Sequence, residues 1–277
     1  MGANTGIRNP ARGLIVFSDL DGTLLDHHSY AHAPALPTLE RLRGAGIPLV
    51  LASSKTAAEM VPLRAELGFQ HCPMICENGA GLIEAGGLGL SGDEEYHRLR
   101  LALDRLGADL RGAFEGFGDM TLARICDVTG LTEEAAERAA KRQFSEPGIW
   151  NGTEDGLQMF LAALDAVGLS ARRGGRFVTL SFGKTKADQM SHILAQMQCD
   201  TVIALGDAPN DAEMLLAADY AIILPAAKGA AEPEIPEGSG PTRILRAQQP
   251  GPDGWNKTLG ALLTQLGVAE EEGDQRG

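Results

Sequence analysis

The sequence predicts an α/β fold, a doubly wound and mostly parallel sheet covered by helices, with an α+β segment inserted into it. Three observations carry this prediction. Apolar runs at residues 14–17, 47–52 and 74–77 alternate with amphipathic helical patterns at 35–45 and 55–67, and strand–helix alternation with short connections marks a parallel sheet. The pattern resumes near the other end, with a helix over 184–197, a strand over 201–205, a helix running to 218 and a strand over 220–224. Between residues 83 and 183 the rhythm changes: helical stretches at 94–106, 132–142 and 153–167 are interleaved with strand-like pieces at 144–150 and 176–182. The expected organisation is therefore a discontinuous core, 11–83 and 184–268, around an insertion at 84–183. An acidic tail at 269–277 is expected to be frayed and disordered.

Composition narrows the function. The chain has 277 residues and a formal net charge of −13, which disfavours nucleic acid and anionic membranes as partners. A small anion is compatible, because a few local cations outweigh a global balance. No apolar run approaches the roughly 20 residues of a membrane span, and Met1-Gly2-Ala3-Asn4-Thr5-Gly6 has no apolar leader core. A cytoplasmic protein is expected. Cys72, Cys76, Cys126 and Cys199 form no metal or disulfide spacing and read as free thiols.

The chemistry gathers at two strand ends. Asp19-Leu20-Asp21-Gly22-Thr23 follows the first apolar run, and Gly206-Asp207-Ala208-Pro209-Asn210-Asp211 follows the run at 201–205. If the first segment stays extended, Asp19 and Asp21 face the same way and repel unless a cation or a shared proton intervenes. Strand ends of open α/β sheets are also where ligands bind. Capping accounts for one such acid, not for four on two strand ends. Hard cations take oxygen ligands, so a Mg²⁺ site is expected on Asp19, Asp207 and the backbone carbonyl of Asp21, with Asp211 in or just outside it.

Other motifs carry less. Gly87-Leu88-Gly89-Leu90-Ser91-Gly92 fits a dinucleotide fingerprint, but Asp93-Glu94-Glu95 would repel a pyrophosphate there. Gly183-Lys184-Thr185 lacks the earlier glycine of a P-loop, since Val178 stands in its place. His27, His28 and His32 read as solvated loop residues.

In order along the chain, Asp19-x-Asp21, Ser53 in Leu51-Ala52-Ser53-Ser54-Lys55, a lysine in Gly183-Lys184-Thr185-Lys186, and Gly206-Asp207-x-x-Asn210-Asp211 resemble the four motifs of haloacid dehalogenase-like hydrolases. The resemblance implies a Rossmann-like core with a type C2 cap as the insertion. It implies that Asp19 is a nucleophile towards phosphorus and Asp21 the acid/base. Ser53 (or Ser54) would donate to a phosphoryl oxygen, and Lys184 (or Lys186) would screen charge. Asp211 would act on the metal or orient the lysine. Ser54, Lys55 and Asn210, beside these motifs, are assigned to substrate binding.

A finer resemblance is to mannosyl-3-phosphoglycerate phosphatases. It rests on Leu25-Asp26-His27-His28-Ser29-Tyr30, Ser53-Ser54-Lys55-Thr56, Glu77-Asn78-Gly79-Ala80, Arg142-x-Phe144-Ser145-Glu146-Pro147, Gly174-Gly175-Arg176-Phe177 and Gly251-Pro252-Asp253-Gly254-Trp255. It implies hydrolysis of a glycosyl-3-phosphoglycerate, a phosphorylated sugar acid, to a glycosylglycerate that serves as a compatible solute. Arg142, Ser145, Glu146 and Arg176 then become specificity residues, the arginines suited to a carboxylate. A broader sugar-phosphate phosphatase and a phosphosugar mutase use the same groups and stand as alternatives.

Overall fold

The computed structural model describes residues 13–89, 93–197, 199–236, 240 and 243–269. The leader expectation at residues 1–6, Leu90–Gly92 of the glycine-rich motif and the tail from 270 lie outside them. The core begins with β1 (Leu14–Ser18), α1 (Leu36–Gly44), β2 (Leu49–Ala52), α2 (Ala57–Glu66), β3 (Met74–Cys76) and β4 (Gly81–Ile83). The insertion carries α3 (Asp93–Leu103), α4 (Ala108–Ala113), β5 (Phe114–Gly116), α5 (Leu122–Thr129), α6 (Glu133–Ala139), β6 (Glu146–Trp150), α7 (Glu154–Ala166), β7 (Ser170–Gly174) and β8 (Phe177–Ser181). The core resumes with α8 (Lys186–Gln196), β9 (Thr201–Gly206), α9 (Ala212–Leu216), β10 (Tyr220–Ile223), β11 (Arg243–Arg246) and α10 (Gly251–Gln265).

Seven strands form one sheet in the order β11-β10-β9-β1-β2-β3-β4. Every neighbour is parallel except β4, which returns antiparallel on β3. Both faces are covered, which is why β1 is apolar without a break from Leu14 to Phe17 instead of alternating. Leu14 and Val16 pack with Leu39, Leu42, Met60, Trp255 and Leu259 under α1, α2 and α10. Ile15 and Phe17 pack with Met190, Ile193, Met214 and Leu215 under α8 and α9. Phe17 is fully buried, a contribution of about 2–3 kcal/mol from apolar area alone.

The insertion builds a separate antiparallel sheet, β5-β6-β8-β7. One of its cores joins Phe114, Leu157, Phe160 and Leu164 with Leu99 and Leu103. A smaller one joins Phe117, Ile125 and Ala136. Sheet-plus-insertion is the expected class, with several elements added. The strands β4, β5, β7 and β11 and the helices α4, α5 and α10 were not expected. The helix expected over 132–142 stops at Ala139, and the strand expected from 144 starts at Glu146, because 142–145 is held by the core instead. All four cysteines are free. No helix of the described residues is long and apolar enough to cross a membrane.

In the large sheet the chain turns one way after β1, through α1 to β2, and the other way after β9, through α9 to β10. The crevice at the carboxyl ends of β1 and β9 is therefore the switch point where such sheets receive ligands.

Candidate active site

At that crevice β1 ends with Ser18, and the Asp19 N–H donates to Leu205 O at 3.0 Å, tying it to the neighbouring strand end. Asp19 is 7% exposed and Asp207 6%. Asp211 shapes the turn after β9, its Oδ2 accepting the N–H groups of Asp207 at 3.2 Å and Ala208 at 3.1 Å. Thr23 Oγ1 donates to Asp207 Oδ1 at 2.9 Å. Gly22, at φ +83°, lets the first loop pass: a Cβ there would lie 2.5 Å from Asp207 Oδ2.

The lysine that enters this cluster is Lys186, not Lys184. Lys186 Nζ lies 2.6 Å from Asp19 Oδ1 and 2.7 Å from Asp211 Oδ1, and the residue is 2% exposed. Thr185 is the N-cap of α8, its side chain accepting from Asp188 N while Asp188 accepts from Thr185 N. This capping box places Lys186 at the first helical position, pointing across the crevice. Lys184 precedes the helix and is exposed. Burial disfavours the Lys186 ammonium, yet Asp19 and Asp211 outweigh burial and hold its pKa above the ordinary lysine value.

One oxygen from each of Asp19, Asp207 and Asp211 can be chosen so that all lie within 4.8 Å of one another. Three carboxylates face one ammonium, a surplus of two negative charges when all are ionised. Burial first, then the neighbouring carboxylates, raise the Asp19 pKa well above its ordinary value, with Lys186 opposing. Burial and Asp211 push Asp207 up to about 6. A set of hard oxygen donors short of positive charge fits a divalent cation such as Mg²⁺. The Asp21 carboxylate is not in this cluster. Because β1 stops at Ser18, the two-residue alternation does not extend to it; its Oδ1 lies 3.1 Å from Lys55 Nζ.

A pH dependence follows. An acid whose folded pKa is raised stabilises the fold through its bound proton, fully below the unfolded pKa, and that contribution is lost as pH rises through the folded value. For Asp207 the window runs from about 4 to about 6. Metal-free protein should therefore lose melting temperature across that window. Saturating Mg²⁺ should raise Tm by a few degrees near pH 7.5 and by less than half as much near pH 5. Equal Mg²⁺ shifts at both pH values in thermal melts would remove the carboxylates as the ion's site.

The remaining expected residues divide into two groups. Ser53 (1% exposed) sits at the end of β2. Its Oγ accepts Lys55 N–H at 3.2 Å and its carbonyl accepts Asn78 N–H at 2.8 Å. Lys55 Nζ also lies 4.0 Å from Glu59 Oε1 and 4.7 Å from the Tyr30 ring centroid. Although burial opposes it, Asp21 and Glu59 raise the Lys55 pKa. Asn210 Nδ2 donates to Asn78 Oδ1 at 2.9 Å. Ser54 is exposed and offers its carbonyl to Arg142 Nη1 at 3.3 Å. These residues line the strand ends.

The four residues assigned to specificity face different partners. Arg142 Nε lies 3.2 Å from Glu77 Oε2, and its Nη2 donates to Ser145 Oγ at 2.6 Å. Ser145 is fully buried and donates its hydroxyl to Glu77. Glu146 is fully buried too, accepting from Tyr96 Oη, Arg100 and the Gly118 N–H; burial nevertheless raises its pKa. Arg176 is exposed on β7–β8 and donates to Val128 O at 2.7 Å. Protein groups, not an open cavity, surround the polar atoms of Ser145 and Glu146. Glu77, prominent here, was visible in the sequence only within a resembling segment.

Comparison with known proteins agrees with this geometry. Residues 16–88 match the family described as haloacid dehalogenase-like hydrolase. Among solved structures of similar fold is a phosphatase of the haloalkanoate superfamily from Bacteroides thetaiotaomicron, 19% identical with TM-score 0.60, covering 97% of this chain and 100% of that one. A subclass IIB sugar phosphatase is 14% identical with TM-score 0.60, over 92% and 99%. The sucrose-phosphatase of Synechocystis sp. PCC6803, solved with sucrose and phosphate, is 15% identical with TM-score 0.58, over 92% and 98%. At these identities the likeness is one of fold, a mostly parallel sheet with a capping antiparallel one.

Proposed function

We propose that this chain is a haloacid dehalogenase-like hydrolase, a phosphatase acting on a phosphorylated sugar or sugar acid through a covalent intermediate on Asp19. The observation that carries the reading is Lys186 between Asp19 and Asp211 with Asp207 alongside. With Oδ1 held by Lys186, Asp19 attacks phosphorus through its other oxygen, forming an acyl phosphate as the ester P–O bond breaks. Asp21 gives a proton to the departing alkoxide and takes one from the water that then cleaves the acyl phosphate. Ser53 Oγ accepts from Lys55 N–H, which leaves its own proton for a phosphoryl oxygen. Asp19, Asp207, Asp211 and the Asp21 carbonyl would hold a divalent cation, which supplies charge compensation when an anionic nucleophile meets an anionic phosphate.

Within this chemistry a glycosyl-3-phosphoglycerate, the mannosyl compound first, is the substrate that the motif resemblance supports. The internal pairing of Arg142, Ser145 and Glu146 favours a second reading, a broader sugar-phosphate phosphatase. The test is phosphate release with Mg²⁺, and with EDTA as control, from mannosyl- and glucosyl-3-phosphoglycerate, 3-phosphoglycerate and mannose 6-phosphate. A preference of about a hundredfold for the glycosyl compounds selects the first reading, and comparable rates select the second. Isomerised sugar phosphate in place of free phosphate would make the protein a mutase, and no EDTA-sensitive turnover of any of them would sink the phosphatase reading.

A further inference from the structure

Between β3 and β4, Glu77 and Asn78 take φ values of +52° and +59°, uncommon for residues with side chains. What this turn touches is out of proportion to its length. Its backbone reaches the phosphate end of the crevice: Glu77 N–H donates to Lys55 O at 2.9 Å and Asn78 N–H to Ser53 O at 2.8 Å. The Asn78 side chain accepts from Asn210. Gly79 is pressed onto the start of α8 so closely that a Cβ would meet Thr185 C at 2.0 Å and Lys186 N at 2.3 Å. Gln189 of α8 donates to Gly79 O at 2.9 Å.

The Glu77 side chain points the other way, into the insertion, and is 1% exposed. Three successive N–H groups converge on it, Gln143 at 2.9 Å, Phe144 at 3.2 Å and Ser145 at 2.8 Å, joined by Ser145 Oγ at 2.7 Å and Arg142 Nε at 3.2 Å. Consecutive backbone N–H groups around one anion form a nest. Here the anion is the core's own carboxylate. A stretch outside any helix or strand thereby acquires a fixed place against the core.

We propose that Glu77 is a positioning residue that couples the insertion to the reacting end of the site. One residue holds segment 142–145 with its side chain while its backbone, with the next two residues, holds Ser53, Lys55, Asn210 and the N-terminus of α8. Moving the insertion therefore pulls on the groups that meet the phosphate. A substrate large enough to touch the insertion uses this link, and one too small to reach it does not.

The kinetic part of the test rests on the phosphatase reading; the exchange part does not. In the parent chain, hydrogen exchange at the amides of 143–145 should be as slow as in β1 and β9. Exchange at loop rates there overturns the proposal whether or not any variant folds. In Glu77→Gln, the same amides should exchange about tenfold faster or more, with β1 and β9 unchanged. The variant's kcat should fall about 10–100-fold on the best sugar phosphate, and less than about threefold on p-nitrophenyl phosphate. Equal losses on both substrates, or unchanged exchange at 143–145, overturn the coupling. A parent chain that turns over neither substrate defeats the phosphatase reading, and the exchange result then judges Glu77 alone.

Discussion

Asp19→Asn should lower phosphate release by about a thousandfold or more and leave the protein folded. The amide keeps the shape of the carboxylate but is a poor nucleophile and forms no acyl phosphate. Stability should hold, because Lys186 keeps its other partner, Asp211, at 2.7 Å. Burial and the Asp207 and Asp211 carboxylates already work against charge at position 19, so neutralising it relieves repulsion. Without Mg²⁺ the variant should melt at or above the parent temperature. Parent-like turnover, measured as phosphate release under identical conditions, would take the nucleophile's role from Asp19.

Lys186→Met should be the most destabilising single change in the crevice. It removes the ammonium that stands between Asp19 and Asp211 and leaves three buried carboxylates facing one another. Breaking a buried pair from one side costs about 3–5 kcal/mol, about 10 °C in melting temperature for a chain of this size. Turnover should fall at least about a hundredfold, and added Mg²⁺ should recover part of the stability. Lys184→Met, two residues away and exposed, should change neither property by more than about twofold in rate or a degree in Tm. The reverse pattern, with Lys184 the sensitive position, would overturn the assignment.

These pairs of residues also mark where the sequence could be read and where it could not. Asp19, Ser53 and Asp207 were legible because each directly follows a strand whose apolar run stops at or one residue before its end, so the strand end fixes their place. Only the direction of the Asp21 side chain departs from the sequence reading: alternation holds only while the chain is a strand, and β1 ends at Ser18, so its carboxylate meets Lys55 and not the Asp19 cluster. The two lysines could have been separated, since Thr185 and Asp188 spell a capping box that starts α8 at Lys186. In the insertion, β7 (Ser170–Gly174) has no buried residue and β5 has three residues in all. Such strands exist because a neighbour offers hydrogen bonds, and no local pattern announces them. Glu77 was illegible for a different reason. Its partners lie 66 to 68 residues away, and a left-handed turn at Glu–Asn has no strong signal of its own.

The surroundings of the first strand also set an order of assembly. β1 is flanked by β9, from Leu14↔Thr201 to Ser18↔Leu205. Trp255 Nε1 donates to Ser18 Oγ at 2.9 Å, across 237 residues, and Gly251 N–H donates to Gly22 O at 3.1 Å. The strands of the insertion, by contrast, pair only among themselves. On a ribosome working from the N-terminus, the insertion can complete its sheet while β1 still lacks half its neighbours, and closures over long stretches of chain come late. For most of its synthesis the growing polypeptide carries Asp19 as an ordinary aspartate, and the acid acquires its chemical character only after Lys186, Asp207 and Asp211 have emerged and β9 has closed on β1.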